Sequence, residues 1–286
     1  MSAVIGAMLG TSFSPAMFKH AGSWVLSLGG LVVFIAAASA LVYIYYRRVA
    51  GSDHATAYFS AMPGGVVDMV TLGMERGADE KMIALVQAAR LILVALFLPF
   101  LIWSITGVAP DRTAAAFIPL ASVRANDVVW FCVAVLLGVG GGILLRLPAR
   151  YLLGPMSASA TMHVMGLMHF ELPTAARAAA QIFIGATIGC RFAMASPRKI
   201  MTVIGLSFGS TILLLSVTLA FASLLSLLTG YRFTALILAY SPGSVAEVSL
   251  IALSLGVEIP FVVVHQIVRL FLVIGGAAAV FRWLKR

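Results

Sequence analysis

The stretch SAMPGGVVD at residues 60–68 decides the architecture of this chain, because it recurs as AYSPGSVAE at residues 239–247. In both stretches a Pro-Gly pair interrupts an apolar run, and a carboxylate follows five residues after the proline. The correspondence continues without a gap from about residue 2 to residue 107, always at an offset of 179 residues. Such self-similarity predicts two homologous repeats, 1–107 and 128–286, joined by a loop at 108–127.

The first repeat lacks a counterpart for part of the second. In the second repeat the segment 174–193, of which 180–193 is the copy of 2–14, follows Leu-Leu-Gly-Pro-Met at 152–156, whereas nothing precedes the first copy at 2–14. We therefore expect the first repeat to be incomplete at its N-terminal end. Gly6 and Gly10 are spaced four residues apart, a pattern that predicts close helix packing, as do the glycines within 138–142.

The composition is that of a membrane protein. Hydrophobic residues make up 62% of the chain and charged residues 10%, against roughly 25% charged in soluble domains. The net charge of +9 comes from basic residues scattered singly between apolar runs, which argues against direct nucleic-acid binding. Runs longer than the ~18 residues of a membrane span predict an all-α polytopic membrane protein in a lipid bilayer. These runs are 24–46, 83–105, 128–145, 200–228 and 259–281.

The positions of lysine and arginine predict how the chain is threaded. Leaving out the intramembrane Arg90 and Arg269, 17 of the 19 basic residues remain. If both Pro-Gly segments cross the bilayer, the two sides receive nine and eight of them. If both segments re-enter on one side, that side collects twelve and the other five, which is typical of cytoplasmic loops. We therefore expect eight spans, two re-entrant hairpins, inverted repeats and two cytoplasmic termini. Discontinuous crossing helices remain the alternative.

The two Pro-Gly breaks are the predicted binding site. Backbone that is not helical at membrane depth needs a protein, water or ligand partner, and paired breaks in two repeats are typical of carrier sites. A helix that restarts after the break offers free N–H groups and a positive dipole end, which favour an anion such as a carboxylate. The predicted contacts are Pro63, Gly64, Gly65, Ser241, Pro242, Gly243 and Ser244.

Each break is followed by an intramembrane glutamine–arginine pair. Gln87 and Arg90, and likewise Gln266 and Arg269, are spaced three residues apart and so share one helix face. A charge at that depth costs at least ~2.5–3.5 kcal/mol and needs a partner or a watery cavity. In one hypothesis the arginines bind an anionic solute and the glutamines add hydrogen bonds.

Asp68 and Glu247 are the candidates for coupling to Na⁺ or H⁺, by protonation or as oxygen ligands. In the alternative hypothesis they form internal ion pairs, Asp68 with Arg90 and Glu247 with Arg269. The two hypotheses describe one mechanism if the solute or the coupling cation competes with the ion pair for its charged groups.

We expect no metal, cofactor or disulfide. Cys132 and Cys190 lie in separate apolar segments, which is typical of buried small residues. His163 and His169 lack carboxylates at metal-ligand spacing, and His265 is expected to be structural rather than a proton carrier. Without a nucleophile–base pair or a metal cluster, we do not expect an enzyme.

The doubled motifs, P-G with a carboxylate five residues after the proline, G-(A/V)-(D/E) and Q-x-x-R-L, together with Leu-Leu-Gly-Pro-Met, resemble the bacterial AbrB-duplication membrane family. That family carries a label of gene regulation and an older label of ammonia monooxygenase, and neither label follows from these residues. The architecture is more distantly similar to inverted-repeat carriers such as the glutamate:sodium and bile-acid symporters, which is an analogy of fold.

Two functional hypotheses follow. The first is a bacterial inner-membrane secondary carrier for a small organic anion, coupled to Na⁺ or H⁺, with the solute between the two breaks. The alternative is a membrane-embedded regulatory protein that affects gene expression indirectly. Whether the chain forms a homo-oligomer stays open.

Overall fold

The computed structural model is helical, and no strand occurs among the residues that it describes. Those residues are 2–11, 13, 21–107, 125–145, 147, 150–167, 179, 182–183, 185–187, 189–190, 192 and 196–284. The helices, which we number in chain order, are α1 (Ser2–Gly10), α2 (Val25–Arg48), α3 (His54–Ala61), α4 (Val66–Met74), α5 (Glu80–Thr106), α6 (Ala125–Leu144), α7 (Arg150–Val164), α8 (Pro197–Thr229), α9 (Phe233–Tyr240), α10 (Val245–Ser254) and α11 (Ile259–Leu284).

Five of these helices, α2, α5, α6, α8 and α11, are long and apolar enough to cross a membrane. The chain is therefore an all-α, multi-pass membrane protein, as its composition predicts. Helices α1 and α7, with 9 and 15 residues, are too short to span alone. Most of the predicted segment 174–193, and His169, lie outside the described residues. The predicted total of eight spans therefore stays a prediction.

The chain divides into two compact units. The smaller unit comprises residues 1–24, 109–186 and 249–260, and the larger comprises 25–108, 187–248 and 261–286. Each unit draws on both predicted repeats, so the units do not follow the repeat boundaries. Of the predicted connecting loop, residues 108–124 lie outside the described residues, and 125–127 belong to α6.

Glycine contacts hold the smaller unit together. Helix α7 packs against both α1 and α6. A side chain added at Gly6 or Gly10 would collide with the backbone of α7, and one added at Gly138 or Gly142 would collide with α7 near Pro155 and Arg150. The predicted close packing is thus confirmed at these four glycines. Gly140 and Gly141 face open space instead.

The first Pro-Gly segment, in the larger unit, is a hairpin of two short helices. Proline lacks an N–H group and pushes the preceding residue into an extended conformation, and Met62 accordingly ends α3 with ψ 129°. Gly65 is also extended, and α4 begins after it. The N–H of Asp79, beyond α4, donates to Thr56 Oγ1 in the first turn of α3 at 2.8 Å. The segment therefore returns to the place where it began.

The second Pro-Gly segment repeats this path. Helix α9 ends at Tyr240, the following Ser241 is extended with ψ 140°, and α10 begins at Val245. The rings of Tyr231, before α9, and Phe261, after α10, stack with centroids 5.0 Å apart. Both segments therefore return on themselves, which is the geometry of the expected re-entrant hairpins.

Candidate functional site

Gln87 replaces the hydrogen-bond donor that the first proline lacks. In a continuous helix the N–H of residue 63 would donate to the carbonyl of Phe59, four residues earlier. Pro63 has no N–H, and Gln87 Nε2 donates to Phe59 O instead, at 3.0 Å. The same amide donates to Met62 O at 3.1 Å, so one buried side chain serves the open end of α3.

Gln266 has the same role at the second break. Its Nε2 donates to Leu238 O at 2.9 Å and to Ser241 O at 3.1 Å. Leu238 lies four residues before Pro242, as Phe59 does before Pro63. Every partner corresponds at the offset of 179 residues.

The arginines bind backbone carbonyls at the breaks. Arg90 Nη1 donates to Met62 O at 3.1 Å, and its Nη2 donates to Gln87 Oε1. Arg269 Nη1 donates to Ser241 O, and its Nη2 donates to Gly243 O at 2.7 Å. Because the carbonyl end of a helix carries a partial negative charge, these cations are stabilised by the dipoles of α3 and α9.

Both guanidinium groups lie deep in their helices. Arg90 follows Glu80, the first residue of α5, by ten positions, which is about 15 Å of helix. Arg269 follows Ile259, the first residue of α11, by the same number. That length of helix is half of a ~30 Å hydrocarbon core. Arg90 and Arg269 are only 2% and 5% exposed.

The carboxylates lie at the opposite side of each break. Asp68 and Glu247 are the third residues of α4 and α10, where the helix dipole favours a negative charge. The Ser244 N–H donates to the Glu247 carboxylate, as in a capping box. Asp68 folds back over Gly65, because a side chain added at Gly65 would meet its carboxylate. Both carboxylates are partly buried, and Glu247 Oε2 has no hydrogen-bond partner.

The internal ion pairs of the alternative hypothesis are not formed within the described residues. The only salt bridge there joins Lys199 and Asp79, at 3.9 Å, near the mouth of the first hairpin. In each repeat the arginine lies at the carbonyl end of the helix before the break, and the carboxylate lies at the amide end of the helix after it. Each charge is therefore stabilised by a helix dipole and not by the other charge.

The two breaks pack reciprocally against α11 and α5. A side chain added at Gly64 would lie 2.9 Å from Val273 of α11, and one added at Gly243 would lie 3.5 Å from Val94 of α5. Val94 and Val273 again differ by 179 positions. Glycine thus allows the close approach of the first break to α11, whereas at Gly243 an added side chain would meet Val248 of the same segment at 2.6 Å and would be in ordinary contact with Val94. Pro63 and Pro242 are buried, whereas Gly64, Gly65 and Ser244 are partly exposed.

The remaining candidates are the histidine of α11, the two cysteines and any group of metal ligands. His265, as expected, is engaged through both ring nitrogens, with Ser27 Oγ at 2.9 Å and Phe261 O at 2.8 Å. Cys132 and Cys190 are exposed rather than buried, so that prediction is wrong, since both face outward from apolar helices. No group of three or more His, Cys, Asp or Glu among the described residues could hold a metal ion.

One residue near the arginines was not predicted from the sequence. Tyr46, at the end of α2, is 1% exposed, and its hydroxyl lies close enough to Arg90 to interact electrostatically. Tyr46 hydrogen-bonds Ser210 Oγ of α8 at 2.8 Å. No sequence motif indicates this tyrosine, because it lies in α2, outside both the repeated Pro-Gly segments and the repeated Gln-x-x-Arg segments.

Comparison with known proteins identifies the family. The family model described as "Transition state regulatory protein AbrB" matches residues 1–285. The chain is 29% identical over 286 residues to "Uncharacterized protein YhjN" of Bacillus subtilis (strain 168), covering 95% of this chain and 74% of that protein. It is 26% identical over 284 residues to "Putative regulator AbrB" of Escherichia coli (strain K12), covering 99% and 81%. No solved structure matches. The chain therefore belongs to the AbrB family.

Proposed function

We propose that this protein is a secondary carrier for a small organic anion, which binds at the two Pro-Gly breaks. The observation that carries the proposal is the pair of buried guanidinium groups, Arg90 and Arg269. Their described hydrogen-bond partners are carbonyl oxygens and Gln87, and none is a carboxylate. A buried positive field of this kind is stabilised by an anion.

The start of α4 completes the proposed site. Gly65 caps α4 without a side-chain hydrogen bond, which leaves first-turn N–H groups for a ligand. Backbone amides of this kind bind carboxylates well. In this proposal Pro63, Gly64, Gly65, Ser241, Pro242, Gly243 and Ser244 line the solute site, with Gln87 and Gln266 holding its shape.

Asp68 and Glu247 supply the coupling in this proposal. A proton or Na⁺ that neutralises either carboxylate removes negative charge beside the site and thereby favours the incoming anion. Transport involves no chemical step and needs no cofactor beyond the coupling ion. We further propose a bacterial inner-membrane location with both termini in the cytoplasm, from the excess of basic loop residues on one side.

A regulatory role is the second candidate. The matching family description and the name of the Escherichia coli relative both say regulator. In this proposal the protein is embedded in the membrane and affects gene expression indirectly, with the breaks acting as a switch.

A thermal-shift screen tests the carrier proposal. The purified protein is heated with carboxylates and amino acids, with and without Na⁺ and at two pH values. A ligand that binds the folded state raises the apparent melting temperature by mass action. We expect at least one carboxylate to do so, with the shift lost in Arg269→Gln and partly kept in Arg269→Lys. Because Arg269 also binds Gly243 O, size-exclusion chromatography must first show that each variant is folded. No shift from any anion in folded wild-type protein would favour the regulatory role.

A further inference from the structure

Three polar side-chain atoms without a partner surround one carbonyl oxygen at the second break. That oxygen, Ser241 O, accepts from Gln266 Nε2 at 3.1 Å and from Arg269 Nη1. Within the described residues, Gln266 Oε1, Arg269 Nε and the Ser241 hydroxyl have no hydrogen-bond partner. Oε1 and Nε are each two covalent bonds from the atom that binds Ser241 O, so both lie within about 6 Å of that oxygen. The three atoms therefore form one cluster.

The cluster is buried, and the roles of its atoms are fixed. Ser241 and Gln266 are fully buried, and Arg269 is 5% exposed. The Gln266 amide nitrogen donates to the carbonyls of Leu238 and Ser241, so a flipped amide would place oxygen against oxygen. Oε1 is therefore an acceptor and Arg269 Nε a donor, while the hydroxyl can act as either. Buried polar atoms nearly always have a partner, so this cluster points to a ligand.

The first break has no equivalent acceptor. Gln87 Oε1 already accepts from Arg90 Nη2. Met62 stands at the position that corresponds to Ser241 and has no hydroxyl. The buried atoms without a partner there are Arg90 Nε and Ser60 Oγ, and both can donate to a carboxylate. Only the second break thus adds an amide oxygen that needs a donor from a ligand.

We propose that the second break recognises an α-hydroxy acid, a small carboxylate with a hydroxyl group on the neighbouring carbon. This inference rests on the carrier function proposed above. Arg269 Nε and the Ser241 hydroxyl donate to the carboxylate of the solute, and the hydroxyl of the solute donates to Gln266 Oε1. A carboxylate alone has no hydrogen to donate, so it would leave that buried oxygen unsatisfied.

An amino acid fits this cluster less well. Its ammonium group can donate to Gln266 Oε1, but it would then lie beside the guanidinium group of Arg269. Like charges repel strongly where water is excluded. Glu247 Oε2, another buried acceptor without a partner, belongs to the coupling ion in the carrier proposal. A neutral hydroxyl group is therefore the preferred donor.

Matched acids test the inference. Lactate, propionate and alanine differ only in the group on the carbon beside the carboxylate, and malate, succinate and aspartate form a second, larger set. Each acid is titrated against the purified protein, and the thermal shift is followed. In at least one set we expect the hydroxy acid to reach half of its effect at a concentration at least about tenfold lower than the other two acids. A site that hydrogen-bonds a hydroxyl discriminates strongly against an analogue that lacks it.

Two matched variants locate the preference. Gln266→Leu removes the acceptor, so the preference for the hydroxy acid over its deoxy analogue should vanish. Gln87→Leu, the same change at the first break, should keep the preference, because Gln87 Oε1 is already bound by Arg90. The ratio of the two affinities is compared because each change also alters stability, and size-exclusion chromatography first shows which variants are folded. Ser241→Ala, which keeps the backbone carbonyl, should weaken both acids by a similar factor.

Three results would overturn the inference. They are equal affinities for hydroxy and deoxy acids in both sets, tighter binding of the amino acids, and a preference that survives in folded Gln266→Leu protein. Equal affinities together with a shift that needs Arg269 would remove the hydroxyl subsite and leave the carboxylate site. Absence of any carboxylate-induced shift would count against the carrier proposal and, with it, against this inference.

Discussion

Replacing Gln87 by leucine is predicted to destabilise the first break. The change leaves Phe59 O without the donor that Pro63 does not provide, at a cost of about 1–3 kcal/mol. It also removes the partner of Arg90 Nη2, and hydrogen bonds to charged groups contribute about 1.5–3 kcal/mol. Met62 O keeps its bond from Arg90. Since such losses do not add fully, we expect a decrease of about 2–5 kcal/mol in the free energy of unfolding.

The matched substitution at the second break should cost less. Leu238 O also accepts the Ser241 N–H, at 3.3 Å, so Gln266→Leu leaves it a partner. Ser241 O keeps its bond from Arg269, and Gln266 Oε1 has no partner to lose. We expect a cost of about 0.5–1.5 kcal/mol, the net value of an ordinary hydrogen bond.

A double-mutant cycle isolates the proline's role. Pro63→Ala restores an N–H at position 63, and in the Gln87→Leu background this group can reach Phe59 O once α3 extends by two residues. The double variant should therefore lose about 1 kcal/mol less than the sum of the single variants. SDS-titrated unfolding in mixed micelles measures all of these free energies. A Gln87→Leu protein within about 0.5 kcal/mol of wild type, or a larger cost for Gln266→Leu, would refute the reasoning.

Two further predictions concern packing and capping. Gly138→Ala should lower the melting temperature because its methyl group meets the backbone of Pro155, while Gly140→Ala, which faces open space, should add about 0.5–1 kcal/mol of stability. The opposite order in a thermal melt would contradict the packing. Asp53 caps α3; burial raises its pKa, but hydrogen bonds from Thr56 and the neighbouring backbone outweigh this and hold the pKa below its usual value. Its stabilisation is therefore present above the unfolded pKa and lost as pH falls through the folded one. Asp53→Ala should cost about 0.5–2 kcal/mol at pH 7 and almost nothing near pH 2, and an equal cost at both values would contradict this assignment.

The sequence predicts the two Pro-Gly breaks because they depend on local chemistry, but it gives the glutamines hydrogen bonds to a solute and not to the backbone carbonyls that they bind. A proline at membrane depth removes a donor, and a glutamine placed at the same distance after each proline is the signal for its replacement. The constant offset then predicts that Gln87 and Gln266 have equivalent surroundings, and their hydrogen bonds to Phe59 and Leu238 agree.

The partners of the arginines could not be predicted in the same way. A carboxylate and a guanidinium in one repeat favour an ion pair when only the sequence is known. Whether the two charges pair depends on which side of the break each one occupies. In the hairpin Arg90 binds the end of α3, whereas Asp68 lies at the start of α4. Tyr46 approaches Arg90 from a distant segment through helix packing that no local pattern encodes.

Uptake by proteoliposomes tests the central claim most directly. A radiolabelled carboxylate that gives a thermal shift is added outside vesicles under an inward Na⁺ or proton gradient. The carrier proposal predicts accumulation that needs one of these gradients and is lost in folded Arg269→Gln protein. Folded wild-type protein that binds the carboxylate, yet moves none of it under either gradient, would contradict the proposal and favour a regulatory role.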